Sequence, residues 1–147
     1  MITISKDKSN YESIKVLFKE YFIFAGLDVE KGLSNFDDTY FKNNSRLFLA
    51  KYNEMIAGCV GLIQYNNNIC EVQRLYVRPE CQGNGIGKEL MFSFIDEAKL
   101  LNYSSIRLYT LPKLDKAIKL YFSLGFKEIL PYRENLKKET LFMELCL

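Results

Sequence analysis

Leu75-Tyr76-Val77-Arg78-Pro79-Glu80-Cys81-Gln82-Gly83-Asn84-Gly85-Ile86-Gly87-Lys88 is the stretch whose reading decides the fold of this chain. An apolar strand runs into a proline, then a glycine-rich loop, then a segment with Ile86, Leu90, Phe94, Ala98 and Leu101 at helical spacing. A helix start presents backbone N–H groups that have no intrahelical acceptor, and it carries partial positive charge. Glycines at that point let an anion approach the backbone without a Cβ in the way. The segment therefore reads as a phosphate cradle. It is not a dinucleotide fingerprint: counted from Gly83 the third glycine position holds Lys88, and counted from Gly85 it holds Leu90. Nor is it a P-loop, because Gln82 and Glu89 stand where that motif needs a glycine and a Ser or Thr.

The pattern that does fit is Gln/Arg-x-x-Gly-x-Gly/Ala, here Gln82-Gly83-Asn84-Gly85-Ile86-Gly87. It resembles the pyrophosphate-binding motif of the GNAT superfamily of acetyl-CoA-dependent N-acetyltransferases. Leu120-Tyr121-Phe122-Ser123-Leu124-Gly125-Phe126 resembles the second signature of that family, a helix ending Leu-Tyr-x-x-x-Gly-Phe. Cys70 to Glu80, Tyr109-Thr110-Leu111-Pro112, Pro131-Tyr132-x-x-Asn135, Phe142-Met143-Glu144-Leu145 and Tyr21-Phe22-x-Phe24-x-Gly26-Leu27-Asp28 are similar to a bacterial GNAT subfamily. The central strand of that subfamily reads Cys-Glu-Met-Lys-Arg-Leu-Tyr-Val-Arg-Pro. The resemblance covers nearly the whole chain. It lapses at Arg133 and Leu136, where relatives carry tyrosine and proline. It lapses again at Leu114, where many carry asparagine, and at Tyr109, where aspartate is common.

The resemblance implies one domain over residues 1–147 with the mixed α/β (α+β) GNAT fold, in which the central strand and the strand after the long helix splay apart. It implies acetyl-CoA as cosubstrate and coenzyme A as product. The pantetheine would bond to the Leu75, Tyr76 and Val77 backbone, and the pyrophosphate would sit on Gln82, Gly83, Asn84, Gly85, Ile86, Gly87 and Lys88 beside Ala117. Tyr121 falls where the family places a general acid; the competing reading is a core aromatic. Glu71 falls where other members carry a catalytic base; the competing reading is an ion pair with Arg74 or a surface lysine. Arg74, a charge in a buried-looking strand, needs a partner. An internal carboxylate such as Glu71 is the preferred one, and a bidentate substrate carboxylate is the alternative. Tyr132, Arg133 and Asn135 are acceptor-contact candidates in the last hairpin.

Composition bounds the rest. At 147 residues and net charge +2, with 48% hydrophobic and 26% charged residues, the chain is an ordinary single core without a basic field for nucleic acid. No run of about 18 apolar residues suggests a membrane span, and the first residues lack the apolar stretch of a signal peptide. With no histidine, Ser-His-Asp, Cys-His and Cys/His zinc chemistries are impossible, and Cys59, Cys70, Cys81 and Cys146 are too scattered for a metal site. Four reduced thiols in a cytoplasmic protein is the plain reading. A homodimer is compatible with the family.

The element pattern begins with a strand at the N-terminus and a helix from Asn10 to Ala25 capped by Ser9 and stopped by Gly26. A second helix is expected over Val29 to Lys42. Strands Leu47–Ala50 and Ile56–Ile63 join at Asn53-Glu54, and Asn66-Asn67-Asn68 form a turn of the kind that tolerates left-handed backbone. A strand to Val77, the long helix, a strand over Ser105–Thr110, a helix over Leu114–Leu124 and strands over Phe126–Ile129 and Thr140–Leu145 complete the chain. The implied reaction is acetyl transfer to a primary amine by direct attack in a ternary complex, with a small metabolite such as an amino acid as acceptor. A protein acceptor, or a non-catalytic acyl-CoA-binding module on the same fold, are the rival readings.

Overall fold

A computed structural model describes residues 1–42 and 44–147. The chain runs β1 (Ile2–Ser5), α1 (Tyr11–Ala25), α2 (Val29–Leu33), α3 (Phe36–Tyr40), β2 (Arg46–Tyr52), β3 (Met55–Gln64), β4 (Ile69–Val77), α4 (Ile86–Leu100), β5 (Ser105–Thr110), α5 (Asp115–Ser123), β6 (Lys127–Glu128) and β7 (Leu141–Cys146). Seven strands form one sheet in the order β1-β2-β3-β4-β5-β7-β6. Neighbours are antiparallel except β4 and β5, which are parallel and joined by the α4 crossover.

Alternation along β2 sorts side chains onto two faces. Phe48 and Ala50 pack into a core with Ile86, Leu90 and Phe94 of α4, whereas Leu47 and Leu49 pack with Ile14, Leu17, Phe18 and Phe22 of α1. The sheet is thus sandwiched, with α4 on one face and α1 to α3 on the other. Gly26 ends α1 in the left-handed region (φ 71°), and its N–H and that of Leu27 bond back to Ile23 and Phe22 carbonyls. Asn53 and Glu54 turn the β2–β3 hairpin at φ 49° and 71°, the two-residue turn that matches strand twist.

Two local expectations need correction. Ser9 does not cap α1: the Asp7 carboxylate accepts from the Ser9 N–H at 2.9 Å and caps a single 3₁₀ turn, Lys8–Asn10, ahead of the helix. The Val29–Lys42 helix is two short ones, interrupted at Ser34-Asn35. There Gly32 packs so tightly on Phe22 that a Cβ would lie 2.6 Å from its ring, and only Phe36 and Tyr40 of α3 reach the core. The Asn66–Asn68 turn is where it was expected, and in it the Asn66 side chain accepts from the Asn68 and Ile69 N–H groups at 2.8 and 2.9 Å. Among the described residues no helix is long and apolar enough to cross a membrane.

Glu97 of α4 ties the first two strands to the helix. It is 5% exposed and accepts from Lys6 Nζ at 2.7 Å and Arg46 Nε at 2.8 Å. Burial opposes its ionisation, but the two cations outweigh that and hold its pKa below the ordinary 4.5. A depressed carboxylate contributes stability that is complete above its unfolded pKa and is lost as pH falls through the folded one. The acid limb of a urea-midpoint titration should therefore lie below about pH 4.5. Glu97→Gln should lower the midpoint at pH 7 and flatten that limb.

Candidate active site

The parallel β4–β5 ladder holds for three pairs, Ile69 with Ser105, Cys70 with Ile106 and Glu71 with Arg107. β5 stays paired to β7 through Thr110, but β4 loses its β5-side neighbour beyond Glu71. A wedge opens there, as the splayed strands require. On its other side β4 carries a bulge: Gln73 faces Gly61 and Tyr76 faces Cys59, so Val60 opposes both Arg74 and Leu75. Arg74 takes the strain at φ 57°.

A cavity of about 470 Å³ fills the wedge. Leu75, Tyr76, Val77, Gln82, Gly83, Gly85, Ile86, Gly87, Lys88, Ala117 and Tyr121 all line it, so the sequence candidates converge. Gly83 and Gly85 sit at φ 84° and 79°, which is the reason for glycine at both. The N–H groups of Gly83, Asn84 and Gly85 have no backbone acceptor among the described residues, and those of Ile86 to Lys88 are orphaned by the helix start. Six consecutive donors at a helix terminus can accommodate an anion. The Asn84 side chain is not on the cavity wall: it donates to the Cys81 carbonyl at 2.9 Å and braces the loop. Gln82 donates to the Val77 carbonyl at 3.1 Å and accepts from Lys116 at 3.0 Å, so it spans the mouth.

Tyr121 is 4% exposed, packs on Phe126 with ring centroids 5.6 Å apart and lines this cavity, its hydroxyl without a hydrogen-bond partner among the described residues. Burial pushes its pKa up, so it stays protonated across the physiological range. Tyr21, Tyr109 and Thr110 are wall residues that sequence reading did not single out. Tyr21 and Tyr109 stood within quoted motifs, yet nothing in their spacing showed that α1 and β5 would bring them together.

A second cavity, about 570 Å³, lies under α1, α2 and α3. Phe18, Phe22, Phe36 and Tyr40 line it, and Asn135 and Leu136 of the last loop reach it. The two cavities share Tyr21, Arg74, Tyr109 and Thr110. Arg74 thus stands at their junction, its guanidinium 5.1 Å from the Phe22 ring centre and 5.9 Å from that of Tyr21. The expected internal ion pair is absent: among the described residues no carboxylate lies within salt-bridge distance of Arg74. The bulge turns it away from Glu71.

Glu71 is paired elsewhere. It is fully buried and accepts from Arg133 Nε at 2.8 Å and Nη2 at 3.1 Å, from the Tyr132 hydroxyl at 2.7 Å and from Gln73 at 2.6 Å. Glu71, Tyr132 and Arg133 line neither cavity. The expectation that Glu71 faces an acceptor amine and that Tyr132 and Arg133 touch the acceptor does not match this geometry, because each satisfies the others. The fork of Arg133 fits the carboxylate bidentately and fills the acceptor sites a base would use.

The model of the Acetyltransferase (GNAT) family matches residues 11–126. An uncharacterised N-acetyltransferase of Schizosaccharomyces pombe is 33% identical over 98% of this chain and 93% of its own length. The N-acetylaspartate synthetase of Xenopus tropicalis is 37% identical over 54% of this chain and 32% of its own length. Among solved structures, the PaiA N-acetyltransferase of Thermoplasma acidophilum in complex with coenzyme A superposes with a TM-score of 0.75 at 21% identity, over 100% of this chain and 99% of that one.

Two outcomes are expected from these contacts. Acetyl-CoA should raise the thermal midpoint, by about 2.7 kcal/mol of added stability at 100 times its dissociation constant. Gly85→Asp, which puts a carboxylate among the free N–H groups, should abolish that shift in a protein that circular dichroism shows to be folded. Glu71→Gln should cost roughly 2–4 kcal/mol in urea denaturation by leaving Arg133 without its counter-charge, the partial exposure of Arg133 keeping the loss near the lower end for buried pairs.

Proposed function

The chain belongs to the GNAT acetyltransferase family, an acetyl-CoA-dependent enzyme family, and we propose that it transfers the acetyl group to the primary amine of a small metabolite by direct attack in a ternary complex. The observation that carries the reading is the junction at Tyr21, Arg74, Tyr109 and Thr110, where the cofactor channel opens into a second cavity of metabolite size. A pyrophosphate on the glycine loop and a pantetheine along Leu75 to Val77 would deliver the thioester to that junction. An acceptor in the second cavity would meet it there, so proximity supplies much of the rate. An amino acid or related metabolite is the candidate acceptor. The name of the Xenopus relative, a synthetase of an N-acetylated amino acid, supports that class. Buried free thiols at Cys59, Cys70 and Cys81 support a reducing, cytoplasmic setting.

Chemically, a neutral amine attacks the thioester carbonyl, the C–S bond breaks, and one proton leaves nitrogen while one joins sulfur. Tyr121 is the group we assign to the sulfur. A thiol of pKa about 8.5 is a weaker base than a tyrosinate of about 10, so full donation is uphill by roughly 2 kcal/mol, and burial of Tyr121 makes it more so. A hydrogen bond from its hydroxyl to the departing thiolate therefore describes its role better than complete transfer. On the acceptor side water takes the proton, since the Glu71 carboxylate is already engaged by four donors. We read Glu71, Tyr132 and Arg133 as the brace that holds the wedge open.

Tyr121→Phe keeps the ring and removes the hydroxyl. Thiol release from acetyl-CoA with an accepted amine should fall about 10²-fold, with the acetyl-CoA thermal shift unchanged. Turnover at the wild-type rate would make Tyr121 a packing residue.

A further inference from the structure

We infer that the acceptor is an α-amino acid with a bulky apolar side chain, its carboxylate held by Arg74 and its α-amine the nucleophile. This rests on the transferase reading and narrows it. Arg74 is a cation that lines both cavities without a carboxylate partner among the described residues. Its neighbours are aromatic faces and the hydroxyls of Tyr109, Tyr40 and Tyr21, with Tyr109 in hydrogen-bonding reach, and none of these is a carboxylate. A guanidinium in that setting matches a carboxylate bidentately.

The rest of the cavity points the same way. Its charged walls are Asp28, Lys31, Arg74 and Lys137, three cations to one carboxylate. That carboxylate already accepts from the Lys31 N–H at 3.1 Å as a helix cap. That balance of charge disfavours a polyamine. The walls beyond Arg74 are Phe18, Phe22, Phe36, Tyr40 and Leu136, a surface for an aromatic or branched aliphatic side chain.

Position selects the amine. In an α-amino acid the nitrogen is two bonds from the carboxylate carbon, so anchoring the carboxylate on Arg74 holds the amine at the junction of the cavities. A side-chain amine would be carried away from it. Basicity agrees: the α-amine of an amino acid is less basic than a lysine-like amine of about 10.4, of which only about 1 in 2,500 is neutral at pH 7. A site whose nearest glutamate is locked to an arginine suits the first and not the second.

The test pairs each amino acid with the amine that lacks its carboxylate: L-phenylalanine with phenethylamine, L-leucine with isopentylamine, and spermidine as a cationic control. Thiol release should give the amino acids a kcat/KM about 10- to 100-fold above their partners, the range for charge-assisted hydrogen bonds. In Arg74→Gln that ratio should collapse toward unity, chiefly through KM, while the acetyl-CoA thermal shift persists. Should this variant fail to fold, the wild-type ratio decides alone. Acetylation of phenethylamine or spermidine as well as phenylalanine overturns the inference and leaves the transferase reading standing. Acetylation of no amine at all overturns both.

Discussion

Strand β4 loses its partner on the β5 side after Glu71, and the functional part of the molecule depends on that loss. Two strands that share three pairs would ordinarily go on pairing, because unpaired backbone groups are costly when buried. Here the separation is held from both sides. The bulge at Arg74 and Leu75 rotates β4 against β3 and raises its twist. Across the wedge, Glu71 at the last paired position binds Arg133 and Tyr132 of the final loop. Arg107, opposite Glu71 in the register, binds Glu144 of β7 at 2.9 Å and stacks 5.0 Å from the Tyr132 ring centre. These paired charges and rings pin the apex of the wedge, so the backbone beyond it is free for a ligand rather than for another strand.

Energetics explain why the apex is built from a buried ion pair. A carboxylate with no exposure would be heavily penalised unless paired and hydrogen-bonded. Glu71 meets that condition with four donors, and so its acceptor capacity is spent on structure. A carboxylate can brace a loop or shuttle a proton in one geometry, but the bidentate fork of Arg133 leaves little room for both. Arg74 is the complementary case, a cation without a carboxylate partner among the described residues, on the wall that two cavities share. Buried pairs serve the scaffold, and the unpaired charge is left for what enters.

The loop and the long helix were legible in the sequence because each rests on local rules, whereas the wedge was expected only through the family resemblance. Gly83 and Gly85 mark backbone that only glycine adopts readily, and Ile86, Leu90, Phe94 and Ala98 repeat at helical spacing. The α2–α3 break was not legible, since sparse apolar residues and Ser34-Asn35 allow one helix or two until Gly32 meets Phe22. The partner of Glu71 was illegible for another reason. Arg133 lies 62 positions along the chain, and the bulge that turns Arg74 aside is visible only once β3 and β4 are in register. A signal did exist: Arg133 stands beside Tyr132 in a loop, where an arginine with aromatic neighbours is suited to a buried carboxylate.

The absence of a free carboxylate at the junction then constrains the chemistry more than any motif does. The chain has no histidine, and Glu71 is engaged by Arg133, so neither supplies a free base at the junction. Its acceptor must bring a pKa low enough for water to suffice, and an α-amine leaves a smaller deficit than a lysine-like amine of about 10.4, whose deprotonation costs about 4.6 kcal/mol at pH 7. Positioning can make up the smaller deficit many times over, because oriented reactants gain roughly 7–11 kcal/mol relative to free collision. A junction that orients well and carries no base of its own is therefore a consistent design for α-amines. The strained residue of the central strand, Arg74, is also one that lines both cavities.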